Sequence, residues 1–308
     1  MTESSHRPDR RLDGRVAIVT GAGSAGDGIG NGRAAAILLA EIGCSVMCVD
    51  LDICSAGRTA EMIQEEGTAS ARASQGDVTI EDDCRRIVSE AVEIFGRLDI
   101  LVNNVGIGGA KGTAETVDSG EWTKGMEINV GSMVKMAKYC IPEMTKNKGQ
   151  WRGSIVNMAS VAGLRGGTPH LLYPTSKGAI VVGSVSRRLI ALLTFQNMTR
   201  AMAVHHAPQG IRVNCVCPGM VYTPMVRVKP PNIIKLTSQM YAGGMSEEAR
   251  EARKNRSLLK TEGNGWDVGV AVRFLSSDEA RWLTGVILPV DAGATAATST
   301  EMPRDATV

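Results

Sequence analysis

Apolar runs rich in β-branched residues alternate with helical patterns along this chain. The run 16–20 leads to a helical pattern over 32–41, 45–50 to one over 56–66, and 100–103 to one over 121–144. A further helical pattern covers 82–95, and 154–158 continues the series of strands. Unbroken apolar strands between amphipathic helices predict a parallel sheet covered on both faces. No Pro/Gly/Ser-rich linker divides the chain, and it carries no internal repeat. An α/β, doubly wound parallel sheet of the Rossmann type, in a single domain over 13–294, is expected. The polar ends, 1–12 and 295–308, read as flexible tails.

Composition narrows the function. With 308 residues and 43% hydrophobic content, the chain can bury a sizeable core. Its formal charge of +2 is spread over well-mixed basic and acidic residues, and aromatics make up only 4%. That leaves no footprint for nucleic acid and none for an anionic membrane surface. No apolar stretch approaches the roughly 20 residues that span a bilayer, and the start, MTESSHRPDRRLDG, lacks the apolar core of a secretory signal. A soluble, cytoplasmic protein is expected. Seven scattered cysteines with no Cys-x-x-Cys pair read as reduced core thiols. His205-His206 are adjacent and have no acidic or thiol partner at ligand spacing, so no metal is expected.

Glycines crowd TGAGSAGDGIGNG, from Thr20 to Gly32, between the first strand and the first helix. That context gives a glycine pattern its meaning. Glycine lets the backbone approach a pyrophosphate, and the helix start offers unpaired N–H groups to the anion. Asp50 closes the second strand twenty residues after Gly30, where a carboxylate accepts hydrogen bonds from ribose hydroxyls. It would repel a 2′-phosphate, so NAD(H) is preferred, with NADP(H) the second choice.

At this point the chain resembles the short-chain dehydrogenase/reductase family, and within it the NAD(P)-dependent 3-oxoacyl-reductase-like members. The family loop reads Thr-Gly-x-x-x-Gly-x-Gly. Here Thr20-Gly21 and Gly28-Ile29-Gly30 match, with Ala25-Gly26-Asp27 extra between them. The alternative register takes Gly26 as the second glycine. Asp27 should point away from a pyrophosphate. Gly76-Asp77-Val78 looks like the adenine-contacting segment, through Asp77 and the Val78 backbone. Asn103-Asn104-Val105-Gly106 looks like the family's Asn-Asn-Ala-Gly beside the cofactor pocket. Asn129 matches the catalytic-helix asparagine. Pro218-Gly219 and Thr223 look like the segment that holds the nicotinamide carboxamide, and 282–293 looks like the last strand and its flank. The resemblance implies a homo-oligomer, a homotetramer or a dimer.

Ser160 follows the strand 154–158, Tyr173 comes thirteen residues later, and Lys177 four after that. A four-residue step puts Tyr173 and Lys177 on one helix face. A free tyrosine titrates near 10, too high for an efficient base, and a neighbouring ammonium favours the phenolate. Hydride transfer at a carbon bearing oxygen needs a proton moved at that oxygen. Tyr173 would move it, Lys177 would tune Tyr173 and hold the nicotinamide ribose, and Ser160 would donate to the substrate oxygen. Asn129 would relay protons through an ordered water. Alone, each has an ordinary explanation: a helix-start tyrosine, a solvated lysine, a turn serine, a capping asparagine. Together, behind a dinucleotide loop, they read as a site. The expected activity interconverts a small-molecule secondary alcohol and a ketone. A methionine-rich lid over 220–259 suits a bulky apolar or polyketide-like substrate of secondary metabolism, although such stripes also serve packing. The alternative on the same fold is a nucleotide-sensing binding protein or an inactive isoform.

Two stretches interrupt the resemblance. VGSVSRRLIALLTFQ, 182–196, falls one turn beyond Lys177, and VRVKPPNIIKLTSQ, 226–239, follows Met225. Deleting the first restores the family register, and the second falls between Met225 and Met240. Both begin with Val and then Gly or Arg, both carry Leu-Thr near the end, and both close on Gln. Those residues can spell the donor, branch and acceptor signals of very short introns. We read both as retained introns, the alternative being genuine loops at the substrate mouth. Transcript sequencing is expected to yield a spliced message for about 279 residues, 308 less the fifteen and fourteen. The 308-residue form should assemble and work poorly. A transcript population holding only the uninterrupted message, or an active tetramer of full length, would contradict this.

Overall fold

The computed structural model describes residues 7–181, 198–224 and 245–297. The stretches 182–196 and 226–239, and residues 1–6 and 298–308 of the expected tails, lie outside the described residues. Seven strands, β1 (Val16–Thr20), β2 (Ser45–Asp50), β3 (Ala71–Gln75), β4 (Ile100–Asn103), β5 (Gly153–Met158), β6 (Ile211–Pro218) and β7 (Ile287–Val290), form one sheet. Every pairing is parallel, in the order β3-β2-β1-β4-β5-β6-β7.

The described helices are α1 (Asn31–Glu41), α2 (Ile53–Glu66), α3 (Glu81–Phe95), α4 (Ser119–Met126), α5 (Ser132–Met144), α6 (Leu172–Val181), α7 (Met198–His206), α8 (Glu247–Lys254) and α9 (Gly265–Ser276). They cover the sheet on both sides. Ala17 and Val19 of β1 join one core with residues of α1, α2 and α9, while Val16 and Ile18 join the other with α3 and α5. Because successive side chains alternate faces and both faces are buried, the central strands read as unbroken apolar runs. A third cluster packs Met133, Ile180 and Val181 against Cys215 and Cys217 of β6.

The expected helix over 121–144 is interrupted. Between α4 and α5 the chain makes a π-helical turn, Glu127–Gly131, and Asn129 lies inside it. Such turns concentrate at functional sites because they re-aim a side chain without ending the helix. Leu12, at the end of the expected N-terminal tail, is fully buried, and its backbone N–H donates to Ile42 O. Near the amino end of β6, the buried Arg212 donates to the carbonyls of Leu275, Ser276 and Ser277, tying the end of α9 to the sheet. Among the described residues, no helix is long and apolar enough to cross a membrane.

β1 has β2 on one side and β4 on the other, so the winding reverses there. A crevice opens outside the carboxyl ends of the strands at such a reversal, and ligands of open parallel sheets bind in it. One side of that crevice rests on the packing of α1 against α9. A Cβ on Gly269 would lie 2.8 Å from Leu38 Cδ1 and 3.0 Å from the Ala34 carbonyl carbon. Gly269→Val is expected to destabilise the fold by about 1–3 kcal/mol through overpacking. Denaturant unfolding would check this, and an unchanged midpoint would contradict it.

Candidate functional site

The glycine loop lies at the carboxyl end of β1. Gly21 takes a positive φ of 63°, and Gly30 is the N-cap of α1. The tightest approach is at Gly32, where a Cβ would overlap Gly21 O and sit 2.5 Å from Asn104 Nδ2. The spacing taken from the sequence set Gly21, Gly28 and Gly30, and left Gly32 out. Gly28 instead faces Pro224, whose Cγ a Cβ there would overlap, and Gly28 N donates to Ala25 O. Residues 25–29 therefore make an excursion between the two halves of the loop, with Ile29 half-buried in it. Asp27 points outward and pairs with Arg58 at 2.8 Å.

Three other strand ends surround the loop. Asp50 accepts from Gly23 N at 3.0 Å and from Asp52 N at 3.2 Å, and burial raises its carboxyl above the usual range. After β3, Asp77 accepts from Thr79 N and Oγ, while Val78 is buried. Asn103 of β4 is buried and bonds Asn157 Oδ1 and Met133 O, so it links strands and helix. Its neighbour Asn104 does the work at the loop: its Nδ2 donates to Thr20 O and Gly21 O. After β6, Pro218 is buried and Gly219 N donates to Val290 O. Met220 and Tyr222 pair with Gly263, and Thr223 is 9% exposed.

Ser160, Tyr173 and Lys177 converge at the end of β5. The short turn Val161–Gly163 packs so tightly on α6 that a Cβ on Gly163 would overlap Lys177 backbone. Ser160 Oγ accepts from Ala162 N at 3.1 Å, which leaves the hydroxyl proton available to donate. Tyr173 is half-buried in the first turn of α6, and the following Pro174 sits where a missing N–H costs nothing. Lys177 is buried, donates to Met158 O at 2.9 Å, and lies 5.9 Å from the Tyr173 ring centroid. Burial pushes its ammonium down to about 8.

Asn129 is fully buried. Its Oδ1 accepts from Ile107 N, and its Nδ2 donates to Ile107 O and Ser176 Oγ. Ser176 Oγ in turn donates to Tyr173 O. The amide of Asn129 thus ties the loop after β4 to the first turn of α6. Gly106, in the loop after β4, makes room for the lysine. A Cβ there would lie 2.8 Å from Lys177 Nζ and 3.6 Å from Asn129 Oδ1. Only a bare Cα leaves the lysine head in place.

The lid is partly described. Arg253 donates to Met220 Sδ and Met245 Sδ, and the Arg250 guanidinium stacks on the Tyr222 ring at 3.8 Å. Met225, Met240 and Tyr241 lie outside the described residues. His205 and His206 close α7, with their rings edge to face.

A nicotinamide dinucleotide fits this crevice on two observations. The Gly21–Gly32 approach leaves bare backbone at a helix start, which suits a pyrophosphate. Asn31 Oδ1, at that same start, is buried with no hydrogen-bond partner among the described residues, and a hydroxyl donor, which the dinucleotide's riboses carry and its pyrophosphate does not, would complete it.

A family model described as Enoyl-(Acyl carrier protein) reductase matches residues 23–295. The chain is 35% identical over 287 residues to an uncharacterized oxidoreductase of Thermotoga maritima, covering 92% of this chain and 99% of that protein. It is 31% identical to the meso-2,3-butanediol dehydrogenase of Serratia marcescens, covering 93% and 96%. Among solved structures, a 7α-hydroxysteroid dehydrogenase in complex with NADH and 7-oxo glycochenodeoxycholic acid superposes with a TM-score of 0.75 at 29% identity, covering 92% of this chain and 95% of that one. Sequence, sheet order and these likenesses agree: the chain belongs to the short-chain dehydrogenase/reductase family and is an oxidoreductase of CH–OH groups that uses a nicotinamide dinucleotide.

Proposed function

We propose that the protein interconverts a secondary alcohol and a ketone with NAD(H) preferred over NADP(H). The observation that carries this reading is that buried Lys177 lies 5.9 Å from the Tyr173 ring and bonds Met158 O, at the end of the strand that leads to Ser160. Bound there, the dinucleotide supplies or accepts the hydride. Ser160 donates to the substrate oxygen and fixes its place. Tyr173 moves the proton at that oxygen, and the Lys177 ammonium favours the phenolate. Asn129 acts by holding Ile107 and Ser176, and through Ser176 the turn that bears Tyr173. Both N–H groups of its side-chain amide are engaged, so a relay water would bond Asn129 by donating to an oxygen. Asp50 supports the NAD(H) preference because a half-buried carboxylate at the end of β2 repels a 2′-phosphate. The names of the relatives, which include a butanediol dehydrogenase and a hydroxypropyl-CoM dehydrogenase, support a secondary alcohol.

The reading includes a homo-oligomer. Trp266, Val270 and Phe274 repeat every four residues on the outer side of α9, and Trp282 is 86% exposed. α9 packs beside β7, one of the two edge strands among the described residues. A chain with few aromatics that leaves Trp266 and Phe274 part-exposed on this helix, and Trp282 open shortly after it, has a surface suited to a second copy of itself. The form lacking 182–196 and 226–239 is proposed as the working enzyme.

Turnover of a ketone panel with NADH, measured on that form, tests the chemistry. Tyr173→Phe is expected to lower turnover at least a hundredfold while NADH still binds. NADH binding with no ketone reduced by the unmutated form would favour nucleotide sensing instead. Light scattering tests the assembly: a dimer or tetramer is expected, shifted toward monomer by Phe274→Glu with Trp282→Ser. A monomer at micromolar concentration would contradict it.

A further inference from the structure

The glycine loop is built around a buried cation. Arg33, in the first turn of α1, is 0% exposed. Its Nε donates to Thr59 Oγ at 2.9 Å. Its Nη1 donates to Gly26 O at 2.6 Å and Gly28 O at 2.8 Å. Its Nη2 donates to Ser24 O at 3.2 Å and Ser55 O at 3.3 Å. A guanidinium has five N–H donors, so all five are used. Every acceptor among the described residues is a neutral oxygen. No described carboxylate shares the charge directly; Asp27, the acidic residue of the excursion, turns outward to Arg58.

Two consequences follow. The carbonyls of Ser24, Gly26 and Gly28 are drawn toward the guanidinium, which sets the path of the excursion. That path is also fixed from outside. Gly28 sits against Pro224, and Gly265, at the start of α9, would carry a Cβ 2.8 Å from Ile29 O. The second consequence is electrostatic. A buried charge bonded only to dipoles keeps much of its field, and this one lies in the turn whose own N–H groups face an anion.

We propose that Arg33 is the positioning residue of the dinucleotide site: it shapes the loop from Ser24 to Gly28, and its unneutralised charge is completed by the pyrophosphate. This rests on the nicotinamide dinucleotide reading above. Thr59 supports it, since Thr59 Oγ accepts from Arg33 and donates to Ala22 O at 2.8 Å.

The test is binding, by calorimetry on the full chain, of NADH, ADP-ribose and adenosine across a range of NaCl concentrations. Arg33→Met is expected to weaken NADH and ADP-ribose by about tenfold or more, by the same factor for both, and to flatten their salt dependence. Adenosine, which has no phosphate, should keep its affinity. Arg33→Lys should fall between, because three donors cannot serve four carbonyls and a hydroxyl. Thr59→Val, which keeps the shape of the side chain and removes one acceptor, should weaken the two pyrophosphate ligands about threefold, and it serves where Arg33→Met does not fold. Unchanged ADP-ribose affinity in a folded Arg33→Met or in Thr59→Val overturns the inference alone. So does an equal loss of adenosine, which a merely structural role would produce. An unmutated chain that binds neither NADH nor ADP-ribose, either at full length or without 182–196 and 226–239, overturns the dinucleotide reading and the inference with it.

Discussion

The backbone of Gly32 lies against the carbonyl of Gly21 with no room for a Cβ between them. That contact sets where α1 begins relative to the end of β1, and much of the crevice is built from it. Asn104 reaches the same carbonyl from β4, so the ends of the two strands that flank the winding reversal meet at one oxygen. Any side chain at residue 32 would push the helix start away and open the loop. The start of α1, the carboxylate of Asp50 and the loop after β4 are all registered against this point.

The opposite wall of the crevice depends on similar economies of space. Gly163 lets the turn after Ser160 sit on the backbone of Lys177, and Gly106 leaves a space beside Lys177 Nζ and Asn129 Oδ1. Three separate pieces of chain are thereby brought within a few ångströms: the end of β5, the first turns of α6 and the π turn between α4 and α5. The polar groups then lock the arrangement. Asn129 bridges Ile107 to Ser176, and Lys177 bonds Met158 O. Buried polar groups that are fully paired hold a unique geometry, which a proton-moving site requires.

Much of this was legible in the sequence where burial is symmetrical. β1, β2 and β4 are buried on both faces, so their apolar runs stand out. β3, Ala-Arg-Ala-Ser-Gln, escaped because it is an edge strand with Arg72 and Gln75 exposed, and its short polar run resembles a loop. The helix over 121–144 kept its apolar period through the π turn, so nothing in the pattern marked the break at Asn129. The motif spacing located the glycine loop but not Gly32, and Asn104 and Gly106 were quoted without roles. Their importance lies in contacts with residues far along the chain, which local spacing does not encode. Arg33 was equally silent: an arginine after glycines reads as surface charge until the carbonyls around it are seen. The two stretches at 182–196 and 226–239 stood out by the opposite route, because they break a register that the residues on either side continue.

The central claim is that one crevice aligns a dinucleotide with the Tyr173 hydroxyl. The most direct measurement is a crystal structure of the form lacking the two stretches, with NAD(H) and a ketone or alcohol bound. The account expects the pyrophosphate over Gly21 and the start of α1, and the substrate oxygen in hydrogen-bond reach of both Tyr173 and Ser160. A dinucleotide bound elsewhere, or a Tyr173 hydroxyl remote from the reactive C4 carbon of the nicotinamide, would contradict it.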